Sequence, residues 1–343
     1  MKKTCLMVLI MVFVLGMVST GLAEPVNISG DFRLQGRMID DKISTNRANN
    51  FEKDFFEFRA RINFDGMVDK DTKFFGRFSA RNYQDLGAET RSDSEFDHFG
   101  IKVNSGDWKF SIGRQAITVG AGSLLEIGSD AAGSTNFFDG VIASTKLGDF
   151  NVRAFGGKNT SGIYAGNGSD YPSSVNPINK WYGIELSAQP YKNLNTGLSY
   201  LHKKPDTGVD TESVNYWALN AAYNISPSFI LNAEYAKSDK DNKNGGYFLA
   251  GTYKWNKDSF TVQYNHVQEN SVDVWNGGIG AGPYPFKGKD LPAGYKGVTL
   301  AYNHGINKTL SFHAIYMELE ALEPGRTNTG SDKEFVSGLS WSF

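Results

Sequence analysis

Between residues 56 and 64 the chain alternates strictly. Phe56, Phe58, Ala60, Ile62 and Phe64 are apolar or small, and Glu57, Arg59, Arg61 and Asn63 fill the gaps. Successive side chains of a strand point to opposite faces, so a period of two predicts a strand with one greasy and one wet face. The dyad recurs along nearly the whole chain. Ile28, Gly30, Phe32 and Leu34 precede it, and Phe74, Gly76, Phe78 and Ala80 follow. A weaker strand carries Phe99, Ile101 and Val103, and the next carries Trp108, Phe110 and Ile112. The second half is cleaner: Tyr182 to Ala188, Leu194 to Tyr200, Trp217 to Tyr223, Phe229 to Tyr235 and Tyr247 to Trp255 all alternate. Phe335, Leu339, Trp341 and Phe343 close the series on one face, against Glu334, Gly338 and Ser340 on the other. The count is about 16 strands, each near the roughly 9 to 11 residues that a tilted membrane-spanning strand needs.

Connections between these strands alternate in length. Short ones such as Gly66 to Lys70, Asn104 to Asp107 and Gly148-Asp149 carry the Gly, Asn and Asp of tight hairpins. Longer polar segments, at 39 to 53, 158 to 180, 269 to 294 and 320 to 333, lie between them. Aromatics gather at strand ends, with Trp108, Phe150, Tyr253 and Trp341 beside short turns and Tyr182, Tyr200, Trp217 and Tyr235 beside long ones. Strand propensity alone gives no such bias, whereas two membrane surfaces do. The expected fold is all-β: one closed transmembrane antiparallel barrel, with greasy faces out and polar faces in.

Composition agrees. Mean hydropathy is −0.38 with 40% hydrophobic residues, as expected where only alternate residues meet lipid. Lys2 and Lys3 followed by the apolar run Leu6 to Val18 and by Gly21-Leu22-Ala23 read as a secretory signal over residues 1–23. Residues 24–343 then form the barrel domain. Removal of residues 1–23 leaves 33 basic against 37 acidic residues, a formal charge of −4, and takes away the sole cysteine, Cys5. No disulfide or thiolate chemistry remains.

Two features carry candidate function. The third long loop, about Gln115 to Phe138, holds Leu124, Leu125, Ile127 and Phe137 but few charges, Glu126 and Asp130 among them. Such a loop is expected to fold into the barrel and pack some of those side chains on the inner wall. Arg33, Arg37, Arg59, Arg61, Lys73, Arg77 and Arg81 all take the polar parity of the first three strands. In hydrocarbon each would cost roughly 2 to 4 kcal/mol, so that face is wet, with Asp31 and Glu57 close enough to screen it.

With Gly113-Arg114-Gln115 ending the fifth strand, the chain resembles the general porins, trimeric 16-stranded diffusion channels of Gram-negative outer membranes. The resemblance implies a Gly-Arg pair at that place, an inward third loop, and loop acids facing a basic cluster across the pore. On this likeness Arg33, Arg59, Arg61, Arg77, Arg81 and Arg114 form the basic wall of a constriction, and Glu126 and Asp130 its acidic side. Strict alternation would turn Arg114 outward, so a bulge is expected at Gly113. The ending Trp341-Ser-Phe343 is similar to the C-terminal strand that the barrel-assembly machinery reads. Implied partners are outer-membrane lipid, that machinery, two further copies in a homotrimer, and small hydrophilic solutes diffusing passively; no nucleic acid and no cofactor is implied. The loop lacks the Pro-Glu-Phe-Gly-Gly tip of enterobacterial porins. Gly113-Arg114-Gln115 followed by Phe138-Asp139-Gly140-Val141 is also similar to substrate-selective channels for sugar-type or anionic solutes. Five histidines without metal-ligand spacing and the absence of Gly-x-Ser-x-Gly argue against an enzyme. A glycan binder using Trp275 and Tyr284 is the remaining class.

Overall fold

The structure, a computed structural model, describes residues 25–41, 51–85, 90–122, 124–127, 137–159, 178–207, 212–272, 294–322 and 331–343. The leader at 1–23, Asp130, Trp275 and Tyr284 lie outside them. The first five strands are β1 (Asn27–Asp41), β2 (Phe51–Met67), β3 (Thr72–Asp85), β4 (Thr90–Ser105) and β5 (Trp108–Gln115). Two short strands, β6 (Ile117–Val119) and β7 (Leu125–Ile127), interrupt the series. Then come β8 (Phe138–Leu147), β9 (Phe150–Asn159), β10 (Ile178–Tyr191), β11 (Leu194–Thr207) and β12 (Val214–Ser226). The last six are β13 (Phe229–Ser238), β14 (Gly245–Trp255), β15 (Asp258–Val267), β16 (Tyr295–Gly305), β17 (Leu310–Ala321) and β18 (Ser331–Ser342).

Sixteen of these form one closed antiparallel barrel in which each strand pairs with its chain neighbours, β5 with β8, and β1 with β18. Closure removes both sheet edges, the condition for a sheet to stand in lipid with every backbone group paired. The seam extends past the last strand: Gly30 and Phe343 exchange two backbone hydrogen bonds of 3.0 Å. Glycine at 30 is required, because a Cβ there would lie 2.3 Å from the carbonyl oxygen of Arg61 and 2.6 Å from Cζ of Phe343. Gly30→Val is therefore expected to unseat Phe343 and weaken closure. Heat-modifiable gel mobility would show it as a lower unfolding temperature than wild type; an equal temperature would mean that the seam does not need this ring.

The two faces separate as the alternation predicts. Phe56, Phe58 and Ile62 are 40 to 49% exposed, while Glu57 and Arg59 between them are 0 and 5% exposed. In a closed cylinder the covered face is the interior, so charge is inside and grease outside. Exposed aromatics form a band at each end. Trp108 stacks on Phe110, Tyr253 on Trp255, and Phe32 on both Trp341 and Phe343 beside the short turns. Tyr200 with Trp217 and Tyr247 with Tyr264 pair beside the long connections. The turns joining β2 to β3, β4 to β5 and β8 to β9 are all short. In the first, Asp69 accepts backbone bonds from Asp71 and Thr72 at 2.8 Å, and these hold its carboxyl below the usual range.

One local expectation fails. Pairing of β4 with β5 and of β5 with β8 runs unbroken through Gly113, so no bulge lies there, although its backbone takes φ of 131°. The extra residue sits in β4 instead. Arg77 pairs with His98 and Phe78 with Phe96, which leaves Asp97 between them. A bulge gives up one step of alternation, and both Asp97 and His98 thereby reach Arg77.

Candidate functional site

The arginines of the first three strands meet, but as a ladder interleaved with acids. Arg33 and Arg81 hold Glu57 at 2.5 and 3.2 Å, and Gln35 adds a bond of 3.3 Å. Asp31 accepts from Arg59 at 3.0 Å and from Arg61 at 2.8 Å. Arg77 makes a bidentate pair with Asp97 at 2.8 and 3.1 Å, completed by Ser79 at 2.6 Å. Arg37 reaches across the seam to Glu334. Cross-strand register explains this order, since Arg33 faces Arg59 and Arg59 faces Arg81. Directly opposed like charges repel, and the neighbouring carboxylates offset that. Six guanidinium groups thus meet the carboxylates of Asp31, Glu57, Asp97 and Glu334 on this wall.

The rest of the inner face differs from the sequence reading. Trp181, Leu201, Val214, Tyr216, Phe248, Tyr295 and Leu319 share the inward parity and are at most 4% exposed. Where both parities are apolar, as in Tyr216-Trp217-Ala218-Leu219, alternation disappears and the inner residues read as part of a greasy run. Their cover comes partly from the third long loop. Its residues Ile117, Val119 and Leu124 join Trp181, Leu201, Tyr216, Ala218 and Ala236 in one buried cluster. Leu124 and Phe137 are buried.

Polar contacts then fix the turn between β6 and β7. The Gly120 amide donates to Oε1 of Glu185 on β10 at 2.8 Å, and the Ala121 amide donates to Oε2 of Glu234 on β13. Arg153 on β9 donates to both Glu185 and the Thr118 carbonyl. Ser199 supports Glu185 at 3.2 Å. The turn needs glycine: Gly120 has φ of 68°, and a Cβ there would stand 2.6 Å from Oε2 of Glu234 and 3.4 Å from Cβ of Ala218. This segment follows β5, is held by side chains of β9, β10 and β13, and packs with Tyr216 and Ala218 of β12. Sequence reasoning found the loop but missed Arg153, Glu185 and Glu234. Each is the one charged residue on the inner face of its strand, and only register brings them together.

The remaining site residues are placed as follows. Arg33, Arg59, Arg61, Arg77 and Arg81 lie together on the ladder. Arg114 does not. It keeps the outward parity of Ile112 and Val141, bridges Asp139 at 2.9 and 3.1 Å, and sits over the rings of Phe99 and Phe137 at 5.2 and 5.6 Å. The physical reason is the unbroken register at Gly113. Glu126 is 7% exposed on the β6–β7 hairpin, opposite Thr118. Asp31, Glu57, Asp97 and Glu334, which pair with the ladder, belong to the wall itself. Trp341 and Phe343 are half-exposed in the aromatic band at the seam. Among the described residues no group of three or more His, Cys, Asp or Glu could hold a metal ion.

No family model matches the chain, and no curated protein does. Solved structures do match. Two engineered variants of the Rhodopseudomonas blastica porin superpose with a TM-score of 0.54 at 11 and 12% identity, covering 93% of this chain and 100% of theirs. A third variant, a triple mutant, gives a TM-score of 0.53 at 11% identity over the same shares. At that identity the likeness is one of fold.

Proposed function

We propose that this chain is an outer-membrane porin, a water-filled channel through which small hydrophilic solutes and ions diffuse passively. The carrying observation is the interior. A closed sixteen-stranded barrel, wide enough in principle to leave an aqueous channel, is crossed by a loop pinned to one wall while an arginine-rich ladder lines the other. The ladder and the carboxylates around it set a transverse field that orients dipolar solutes and penalises apolar ones. No step of chemistry is involved. The likeness of fold to a porin supports the reading, and so does the lipid-type outer face with its two aromatic bands.

Export by the leader at 1–23, assembly through the Trp341–Phe343 ending, and association as a homotrimer in the outer membrane complete the proposal; the first rests on the pattern of residues 1–23 and the others on the resemblance to general porins. Arg114 is withdrawn from the proposed constriction. Arg33, Arg59, Arg61, Arg77 and Arg81 stay in it, facing the loop that carries Glu126 and Asp130.

Conductance of the purified protein in a planar bilayer tests the function. Stepwise openings in groups of three support channel and trimer together; an absence of openings in folded protein removes the channel. A second reading, a channel selective for anionic solutes, is favoured by the gathering of arginines on one inner wall. Reversal potentials in a salt gradient separate the two. Arg61→Gln/Arg81→Gln is expected to shift the potential towards cation preference, and an unchanged potential would show that these side chains do not line the narrow zone.

A further inference from the structure

The outer face carries an asymmetry that the channel reading does not use. Within the barrel strands, every lysine or arginine of outward parity stands at the end that meets the long connections. Register places four of them in one row across five strands: Arg114 faces Asp139, Asp139 faces Lys158, Lys158 faces Lys180, and Lys180 faces Lys204. Opposed residues on adjacent strands have Cα atoms about 4.5 to 5.5 Å apart, so the three lysines start within about 10 Å of each other. Asp206 is the carboxylate they share. Lys180 bonds it at 2.6 Å, and Lys158 and Lys204 are close enough to act on it electrostatically. Elsewhere on the rim Lys296 pairs with Glu320 at 3.5 Å and Lys333 with Glu318 at 3.0 Å.

Among the described residues the row sets Arg114 and three lysines against two carboxylates, Asp206 and the Asp139 that Arg114 already bridges, and like charges so close repel unless a further anion joins them. The row's position says which anion. One dyad below Lys180 lies Tyr182, stacked on His202, and below that the exposed Ile184. The row thus stands just beyond an aromatic band, at headgroup height, over a surface suited to acyl chains. We infer that the outer face of strands β8 to β11 binds a lipid with a phosphate-bearing headgroup, its phosphate held by Lys158, Lys180 and Lys204 and its chains lying along the exposed aliphatics beneath. Basic clusters beside apolar surface recognise anionic lipid in this way. The inference depends on the outer face meeting lipid and not on an open pore.

Detergent-solubilised full-length protein, titrated with dioleoyl phosphatidic acid or dioleoyl phosphatidylcholine and followed by native mass spectrometry, tests it. Wild type is expected to retain the phosphatidic acid with a preference of at least about fivefold, falling below about twofold in Lys158→Gln/Lys180→Gln/Lys204→Gln. Lys296→Gln/Lys333→Gln should keep the full preference, and excess inorganic phosphate should not abolish it. Equal retention of both lipids by wild type, or an undiminished preference in the triple variant, would overturn the site. So would competition by free phosphate, or a triple variant that merely dissociates into fewer copies with no change in lipid preference. Bilayer conductance of the same triple variant keeps the two proposals apart: it should remain at the wild-type value whether or not the lipid site holds.

Discussion

Val119→Asp is expected to release the third loop from the inner wall and raise single-channel conductance, on the order of twofold. The reason lies in what holds the loop. Ile117, Val119 and Leu124 are 2, 0 and 0% exposed, and burying three such side chains contributes about 1.5 to 3 kcal/mol each. The two amide-to-carboxylate bonds at Gly120 and Ala121 contribute roughly 1.5 to 3 kcal/mol apiece as charge-assisted bonds. Apolar packing is therefore the larger force, and a carboxylate at 119 turns it against the loop, because an unpaired charge in that cluster has no partner. The polar latch has a different task. It fixes where the tip sits along the wall, since hydrogen bonds are directional and grease is not. Glu185→Ala/Glu234→Ala should accordingly leave the mean conductance closer to wild type while adding open-channel noise. Glu185→Gln/Glu234→Gln, which keeps an acceptor oxygen at each place, should be quieter than the alanine pair. If Val119→Asp conducts like wild type, the loop does not limit the pore and the constriction must be sought elsewhere.

How legible was this molecule in its sequence? The outer face was, almost residue by residue, because lipid tolerates only apolar side chains and so imposes strict alternation at Phe56, Phe58 and Ile62. The inner face was legible only where it is charged. Arg33, Arg59 and Arg81 stand out by parity and prove to face one another across the sheet. Trp181, Leu201 and Tyr216 do not stand out, since an apolar interior next to an apolar exterior erases the period. Arg114 shows the opposite error. A likeness in three residues suggested an inward side chain and a bulge at Gly113, while the register kept alternation and sent Arg114 to the rim with Asp139. The bulge that does exist, at Asp97, lies in the segment Glu95-Phe96-Asp97-His98-Phe99. Two phenylalanines three apart cannot share a face without an extra residue between them, so the signal was present and went unread. Glu185 and Glu234 had none: a lone acid on an inner face is ordinary, and their role appears only once the loop tip is in place.

That bulge carries the other large effect. Asp97 is 0% exposed and its carboxylate accepts from Arg77 twice and from Ser79 once. Arg77→Ala should destabilise the barrel by about 3 to 5 kcal/mol, the range for leaving one member of a buried pair uncompensated. Asp97→Ala should cost a similar amount, because it strands the Arg77 guanidinium, itself 8% exposed. The pair as a whole is worth much less than either loss suggests. Taking two charges from water is expensive, and their attraction roughly repays it. Arg77→Met/Asp97→Val should therefore recover most of the stability lost by each single change. Urea unfolding of the folded protein in lipid vesicles measures all four states of this cycle. A double variant as unstable as the sum of its parts would mean that the two groups act separately, with Asp97 held by Ser79 and the bulge backbone and Arg77 by the rest of the ladder. A double variant near wild type would show instead that the bulge exists to bring a carboxylate under Arg77, which fixes one end of the arginine wall in register with the loop opposite.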